Sequence, residues 1–327
     1  MTDARSLALP QLRRVALRQS YLFALLLLLI ALGINYLLQP NFFRPAVLNG
    51  NLRTYLPLLL LAAGQTIVVI AGGVDLSAGA IVSLANVVMV RALGDEPTSL
   101  EIAQAIGLGL ASGALAGALN GCCVAYLRFQ PIVTTFASSF VIGGLALAVM
   151  PSPGGRVPAA LMDAYRVRPL GLPLLLWVAV VVLLLWRALQ TTRFGRYLYA
   201  VGGQAQAAYA TGVPVAGVRL GSYVLAGLLA ACAAIALMLS TGTGDPLSGN
   251  PMTLDSVVAV VLGGTRLSGG QGGVAGSLMG VVVLGLIRSI ISFANVPTWW
   301  QTLANSLIIV LALAGPGLVG LVRRRRV

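Results

Sequence analysis

Ten apolar runs, separated by short polar connections, dominate this sequence of 327 residues. A run of about 20 apolar residues crosses the hydrocarbon core of a bilayer as an α-helix, because a helix pairs its own backbone amides where water is absent. We therefore expect an all-α, polytopic membrane protein of about ten transmembrane helices. The eighth run is short and bounded by Asp255 and by glycines, which predicts a half-helix or re-entrant segment enclosed by protein. The runs are 21–38, 55–71, 76–90, 102–126, 132–150, 170–186, 218–239, 254–262, 273–291 and 300–319.

Charged residues, only 9% of the chain, orient these helices. Arginine clusters precede the first run, follow the sixth and close the chain, and the positive-inside rule places all three in the cytoplasm. Both termini are then cytoplasmic. The acidic connection 94–101 falls outside as expected, whereas the arginines within 44–53 and 156–168 oppose the scheme. The domain plan is a cytoplasmic tail over 1–20, one transmembrane domain over 21–320 and a basic cytoplasmic tail over 321–327.

All 21 basic residues are arginines, and the chain has no histidine. This excludes a P-loop lysine, a Schiff-base lysine, an imidazole base and a histidine metal site, so we expect no catalytic residue, metal or cofactor. The arginines form no continuous basic face with interleaved aromatic residues, so nucleic acid is not an expected partner. Leu267 to Gln271 reads L-S-G-G-Q, the signature of ABC nucleotide-binding subunits. We interpret it as coincidental, because the chain lacks a hydrophilic stretch long enough for such a domain.

A short pattern, G-G-x-x-L-S-x-G, occurs at 72–79 and again at 263–270, after the second and eighth runs. The offset of 191 residues predicts a duplicated helical unit, as in many transporters. We hypothesise that Asp75 and Arg266 face each other across the pseudo-axis; alternatively, each meets water or headgroups at the cytoplasmic interface. The residues singled out in the repeat turns are Gly72, Gly73, Asp75, Ser77, Gly263, Gly264, Arg266 and Ser268.

The longest polar connection, 187–219, contains a candidate cytoplasmic helix. Gly202 and Gly203 are expected to break the chain before it, and helix-forming residues follow over 204–211. Gly212 suits a left-handed C-terminal cap and Pro214 prevents continuation. So short a helix buries little apolar surface, which predicts a partner that steadies it; a plain surface turn is the alternative.

Glycines recur every four residues on one face of the fourth run and again in the ninth, which predicts close helix packing or, alternatively, a ligand against bare backbone. They are Gly109, Gly113, Gly117 and Gly121, and Gly272, Gly276 and Gly280. Uncharged polar residues at helix depth suit a path for a neutral, hydroxyl-rich solute, although each alone is more typical of an interhelical hydrogen bond. These candidates are Gln65, Asn86, Asn120, Thr134, Thr135, Ser138 and Asn305.

Three separated motifs carry a family resemblance: A-G-G-V-D-L-S-A-G at 71–79, T-R-F-G-R-Y-L-Y-A-V-G-G at 192–203 and V-V-L-G-G-T-R-L-S-G-G-Q-G at 260–272. Together they resemble the ribose-type permeases of bacterial ABC sugar importers. The resemblance implies an inner-membrane permease paired with a second copy or a sister permease, a cytoplasmic ATPase that binds ATP, and a periplasmic sugar-binding protein. It also implies an ATPase-coupling element. Its residues are Arg193, Phe194, Gly195, Arg196, Gly203, Ala208 and Gly212.

The resulting hypothesis is a permease subunit that moves a ribose-like pentose or a related sugar without catalysing a reaction. A permease for branched-chain amino acids, nucleosides or an autoinducer is one alternative. A second is an ion-coupled secondary transporter, which usually buries carboxylates in mid-helix. A membrane enzyme is the third, and the absence of histidine and lysine opposes it.

Overall fold

The computed structural model describes residues 25–94, 96–294, 297, 300, 303, 306 and 307. Across these residues the chain is helical, and the only bridge of β type joins Gly154 to Gly244. The all-α fold class is confirmed. The tails 1–20 and 321–327, Asn305 and most of the tenth run lie outside the described residues. The helices with defined bounds are α1 (Leu25–Leu38), α2 (Pro45–Ile70), α3 (Ala78–Ala92), α4 (Ser99–Ala125), α5 (Pro131–Val149), α6 (Ala159–Arg166), α7 (Leu174–Thr191), α8 (Arg193–Gly203), α9 (Ala205–Ala210), α10 (Val215–Thr241), α11 (Asn250–Leu262) and α12 (Val274–Phe293).

Six of the described helices are long and apolar enough to cross a membrane: α2, α4, α5, α7, α10 and α12. The shorter apolar helices α1, α3 and α11 account for three more of the runs. The chain is therefore a multi-pass membrane protein, and nine apolar runs each contain a described helix. The count of ten spans stays a prediction.

The bundle has a central helix and a lipid-facing rim. In α2, 83% of the most apolar window is buried, whereas in α7 the share is 11%. The most extensive contacts join α10 to α4 and to α2, and α3 packs beside them. Because α5 and α7 expose apolar side chains on their outer faces, these two helices present the surface that a bilayer would cover.

Glycines bring two pairs of helices into backbone contact, as predicted. A Cβ atom on Gly113 would overlap the carbonyl oxygen of Gly227, so α4 and α10 pack without intervening side chains. Gly276 and Gly280 of α12 lie equally close to the backbone of α11. The packing interpretation is confirmed for these helices, but Gly272 precedes α12 and belongs to a turn, with φ of 124°.

The bundle has two ends, which we call inner and outer after the orientation predicted from the arginine clusters. The inner end carries α8, α9 and the turns that follow α2 and α11. The outer end carries α6 and the loop 150–158, whose Val157 N–H donates to the Gly242 carbonyl over 3.0 Å. Glu101 lies in the first turn of α4 and Arg128 follows its last residue, so the two charges are at opposite ends of the helix, which agrees with the predicted alternation.

Two short helices, α3 and α11, begin inside the protein. The Gly79 N–H donates to Thr253 Oγ1 over 2.9 Å, and the Gly249 N–H donates to Ser83 Oγ over 3.0 Å. These bonds join the first turns of the two helices, and both are buried. With 13 residues, α11 is about 20 Å long, too short to span a hydrocarbon core of about 30 Å. The predicted half-helix is confirmed, and α3 resembles it.

Candidate functional site

The turns after α2 and α11 share one backbone geometry. Gly72 has φ of 85° and Gly264 has φ of 81°, a left-handed conformation that glycine adopts without steric cost. The Gly73 N–H donates to the Val68 carbonyl over 3.0 Å, and the Thr265 N–H donates to the Val260 carbonyl over 3.1 Å. Both turns are therefore Schellman caps. The two turns that share the sequence pattern therefore also share a backbone conformation.

The register of that repeat differs by one residue from the sequence pattern. The left-handed glycines, Gly72 and Gly264, are 192 residues apart rather than the 191 of the sequence match. The cause is at the helix end, because Gly263 occupies the C-cap position that Ala71 holds in α2. Structurally, Asp75 therefore corresponds to Leu267. The expected equivalence of Asp75 with Arg266 is wrong.

Three backbones meet at the inner end in a contact that we call the glycine node, formed by Gly72, Gly202, Gly269 and Gly270. The Gly270 N–H donates to the Ile70 carbonyl over 3.0 Å, which ties the second turn to the end of α2. A Cβ atom on Gly202 would overlap that same carbonyl. One on Gly269 would come within 2.7 Å of the Gly202 carbonyl oxygen. The node joins α8 directly to both repeat turns.

The L-S-G-G-Q sequence contributes two glycines to this node. Its two glycines, Gly269 and Gly270, have φ of 84° and 69° and supply the close contact with α8. Beside them lies a cavity of about 530 Å³. The Tyr199 hydroxyl at its rim donates to the Gly272 carbonyl over 2.9 Å. The cavity is lined by Tyr199, Ala200, Gly203, Arg266, Ser268, Gly269, Gly270 and Gln271.

The hypothesised pair between Asp75 and Arg266 is not formed. Asp75 Oδ1 accepts from the backbone N–H of Ser77 over 2.8 Å and from the Ser77 hydroxyl over 2.6 Å. Its side chain points into the bundle, where only 1% of the residue is exposed, while Arg266 is exposed beside the cavity. The local turn satisfies one carboxylate oxygen, and the two residues face different environments. The alternative of contact with water fits Arg266 but not Asp75.

Four helices hold the first repeat turn from the sides. Asn120 of α4 donates to Ser77 Oγ over 2.7 Å. With its amide turned so that both groups are satisfied, Gln65 of α2 donates to the Asp75 carbonyl over 3.3 Å and accepts from the Asp75 N–H over 3.2 Å. Thr135 of α5 accepts from the Leu76 N–H over 3.0 Å, and Tyr223 of α10 donates to the Val74 carbonyl over 3.4 Å. The turn is fixed by buried polar contacts.

The predicted path residues therefore have protein partners. Asn86 accepts from the Asp245 N–H over 2.9 Å, which anchors the chain before α11. Thr134 and Ser138 donate to carbonyls of their own helix, over 2.9 Å and 3.1 Å. Like Gln65 and Asn120, they form the bonds of a packed bundle, and their role in lining a path stays a prediction.

The α8–α9 segment is a folded unit rather than a plain surface turn. Thr192 Oγ1 accepts from the Gly195 N–H over 3.1 Å and caps α8, while the Phe194 ring packs against Gly221 of α10. Gly212, with φ of 81°, caps α9 as predicted. The expected break at Gly202 and Gly203 is wrong, since both lie within α8. The break occurs at Gln204, whose φ is −160°.

The surface of this segment differs from the predicted coupling set. Ala208 is buried, at 5% exposure, as is Gly195, whereas Arg193 and Arg196 are exposed. Tyr209, which sequence reasoning passed over, is 75% exposed. No sequence signal marked it, because neighbouring residues on a helix lie about 100° apart and a buried Ala208 does not fix the direction of Tyr209.

An ion pair inside the bundle was also missed. Arg288 of α12 donates to Asp255 Oδ2 of α11, and the side chains are 45% and 11% exposed. A lone arginine within the ninth apolar run was the available signal, because a charge inside a membrane helix, which costs about 2.5–3.5 kcal/mol at the centre, calls for a partner or solvent. Beside the pair, the Tyr55 ring of α2 lies against Gly285, where a Cβ atom would overlap it.

Comparison with known proteins places this geometry in a family. A family model described as "Branched-chain amino acid transport system / permease component" matches residues 47–313. The Escherichia coli K12 ribose import permease protein RbsC is 33% identical over 89% of this chain and 91% of its own length. RbsC of Bacillus subtilis 168 is 33% identical, covering 85% and 86%. The fructose import permease protein FrcC of Rhizobium meliloti is 31% identical, covering 90% and 83%. No solved structure gives a significant match. These matches confirm the resemblance drawn from the three motifs.

Proposed function

Because this chain belongs to that family of transport-system permease components, we propose that it is the membrane subunit of a bacterial ABC importer for a monosaccharide. The solute is a ribose-like pentose or a related sugar. The names of the relatives, ribose and fructose import permeases, support a sugar over the branched-chain amino acids in the description of the family. The chain lies in the inner membrane with both termini in the cytoplasm, and it works with a second permease copy or a sister permease.

The observation that carries this proposal is the glycine node. A cytoplasmic ATPase that binds ATP docks on the exposed face of α8 and α9, and closure of the ATPase moves this segment. Gly202 conveys the displacement to Ile70 and Gly270 by backbone contact, in which no flexible side chain can absorb it. The movement reaches α2 and α3 on one side and α11 and α12 on the other.

The short helices α3 and α11 then convert this movement into opening and closing of the solute path. The first turns of α3 and α11 are joined by the bonds of Gly79 and Gly249, so displacement of either repeat turn changes the alignment of both helices inside the bundle. A periplasmic sugar-binding protein delivers the solute at the outer end. This chain supplies the solute path and the α8–α9 segment that transmits the movement. The partner subunit binds the ATP.

A reconstituted complex tests the proposal. The permease, its ATPase and its sugar-binding protein are placed in proteoliposomes, and uptake of labelled ribose, fructose and leucine is measured with and without ATP. We expect ATP-dependent uptake of a sugar and none of leucine. Leucine uptake, or sugar uptake driven by an ion gradient without ATP, would contradict the proposal.

Replacing Tyr209 by alanine should weaken ATPase docking. Exposed aromatic side chains commonly dominate docking surfaces, and losing one costs about 2 kcal/mol or more. We expect a loss of roughly tenfold or more in affinity for the ATPase, measured by titration in nanodiscs, with a matching loss of stimulated ATP hydrolysis. Tyr126→Ala is the control, since this tyrosine is also exposed at the inner end but lies at the end of α4. Equal effects of the two substitutions would remove α9 as the docking element.

A further inference from the structure

Side chains from three helices lie close to one another toward the outer half of the bundle. Arg288 follows the inner start of α12 by 14 residues, or about 21 Å along the helix. Asp255 lies in the first half of α11 and accepts from Arg288. The Tyr55 ring of α2 packs against Gly285, three residues before Arg288 on α12. The group combines a carboxylate, a guanidinium and an aromatic ring.

We propose that Asp255, Arg288 and Tyr55 form a sugar-binding subsite on the solute path. This inference rests on the proposed function and names the residues through which the permease itself recognises the solute. Neither the predicted path residues nor the repeat turns include any of the three.

Arg288 presents a partly exposed charge within a membrane-spanning helix. The Arg288 side chain is 45% exposed on a helix long enough to cross a membrane, and lipid is an unfavourable neighbour for a guanidinium. Among the described residues, Arg288 forms one ion pair and Asp255 uses one of its two oxygens in it. The remaining donors and the second oxygen are available to a polar ligand. By contrast, the amide groups of Gln65 and Asn120 form hydrogen bonds with the first repeat turn.

The chemistry of the three side chains fits a sugar. A carboxylate accepts hydrogen bonds from hydroxyl groups, and a guanidinium donates two parallel N–H bonds to neighbouring oxygens. An aromatic ring packs against the apolar C–H face of a sugar ring. Adjacent opposite charges leave the subsite close to neutral, which suits an uncharged polyol better than an ion.

The exposure of Asp255 favours a small solute over a second copy of the chain as the occupant. The Asp255 side chain is 11% exposed, below the level of Arg288, so the pair descends into the protein. A small solute can contact Arg288 and the exposed part of Asp255 together. Another helix packed flat on α12 would cover Arg288 alone.

Cysteine labelling tests the subsite in the assembled complex. Arg288→Cys is made after Cys122, Cys123 and Cys232 are replaced by alanine, and a membrane-impermeant thiol reagent is added from the outer side. We expect reaction with the new thiol, slowed about fivefold or more by saturating ribose. Leu145→Cys is the control, since this leucine is 53% exposed on lipid-facing α5 and should not react. A thiol that stays unreactive in the Arg288→Cys variant, or one that oxidation cross-links between two copies, would overturn the subsite.

A paired substitution separates binding from folding. Asp255→Asn with Arg288→Gln removes both charges together, so neither is left buried and unpaired. We expect roughly tenfold slower sugar uptake. The control, Asp163→Asn with Arg166→Gln, removes an exposed ion pair on α6 and should stay within about twofold. Normal uptake by the first double variant would make the pair a structural bond and overturn the subsite alone. Absence of ATP-driven sugar uptake by the unmodified complex would overturn the proposed function and the subsite with it.

Discussion

Gly202→Ala is expected to reduce ATP-driven uptake to below about a tenth of its normal rate. The added methyl group would overlap the Ile70 carbonyl oxygen and the Gly270 nitrogen, which are backbone atoms and cannot rotate away. Overpacking of a buried contact costs about 1–3 kcal/mol and moves the backbone. The displaced element is the α8–α9 segment, which is proposed to transmit the movement of the ATPase. We therefore expect transport to fail before the bundle unfolds.

The neighbouring glycine provides the control for this experiment. Gly203 belongs to the same turn of α8, and a Cβ atom there has nothing within 4 Å. Although the resemblance counts Gly203 in the coupling element, its methyl group would leave the glycine node undisturbed, so Gly203→Ala should keep far more uptake than Gly202→Ala. Uptake, ATPase binding and thermal unfolding are compared for the two variants in the same vesicles. If Gly202→Ala transports at the normal rate, movement does not pass through the glycine node.

Much of the bundle was readable from apolar periodicity and glycine spacing. The runs predict helices because a bilayer admits few other structures, and glycines at four-residue spacing predict backbone contact because they share one helix face. The cap at Gly212 was equally clear, since glycine followed by proline ends a helix in few other ways. These signals are local, and each depends only on residues within a few turns.

The site was less predictable because its contacts are long-range. Gly202 was read as a helix breaker, and only the approach of Ile70 and Gly270 from elsewhere in the chain explains a glycine inside α8. The pairing of Asp255 with Arg288 needs the antiparallel packing of α11 on α12, which no spacing in the sequence specifies. The repeat was identified by matching residue types, which gave an offset of 191 residues. The structural offset of 192 residues follows the hydrogen bonds of the two helix caps.

Asp75→Ala is expected to destabilise the protein by about 2–3 kcal/mol. Ser77 would lose the acceptor for its backbone N–H and its hydroxyl, both buried, and an unpaired buried donor costs about 1–3 kcal/mol. Asp75→Asn retains a side-chain oxygen at the same position and should lose less. Thermal unfolding in nanodiscs measures the difference. Asp163→Ala serves as the control, because that residue is exposed on α6 and its replacement should change stability by no more than about 0.5 kcal/mol.

A charge reversal separates this local role from a pair across the repeat. Arg266→Asp alone should fold normally, because Arg266 is exposed beside the inner cavity. Asp75→Arg should fail, since it buries an unpaired guanidinium among Gln65, Ser77 and Asn120. Combining the two should restore neither stability nor uptake. Rescue by the double variant would mean that the residues meet in another state of the transport cycle, and the Asp75 turn would then have to open when the glycine node moves.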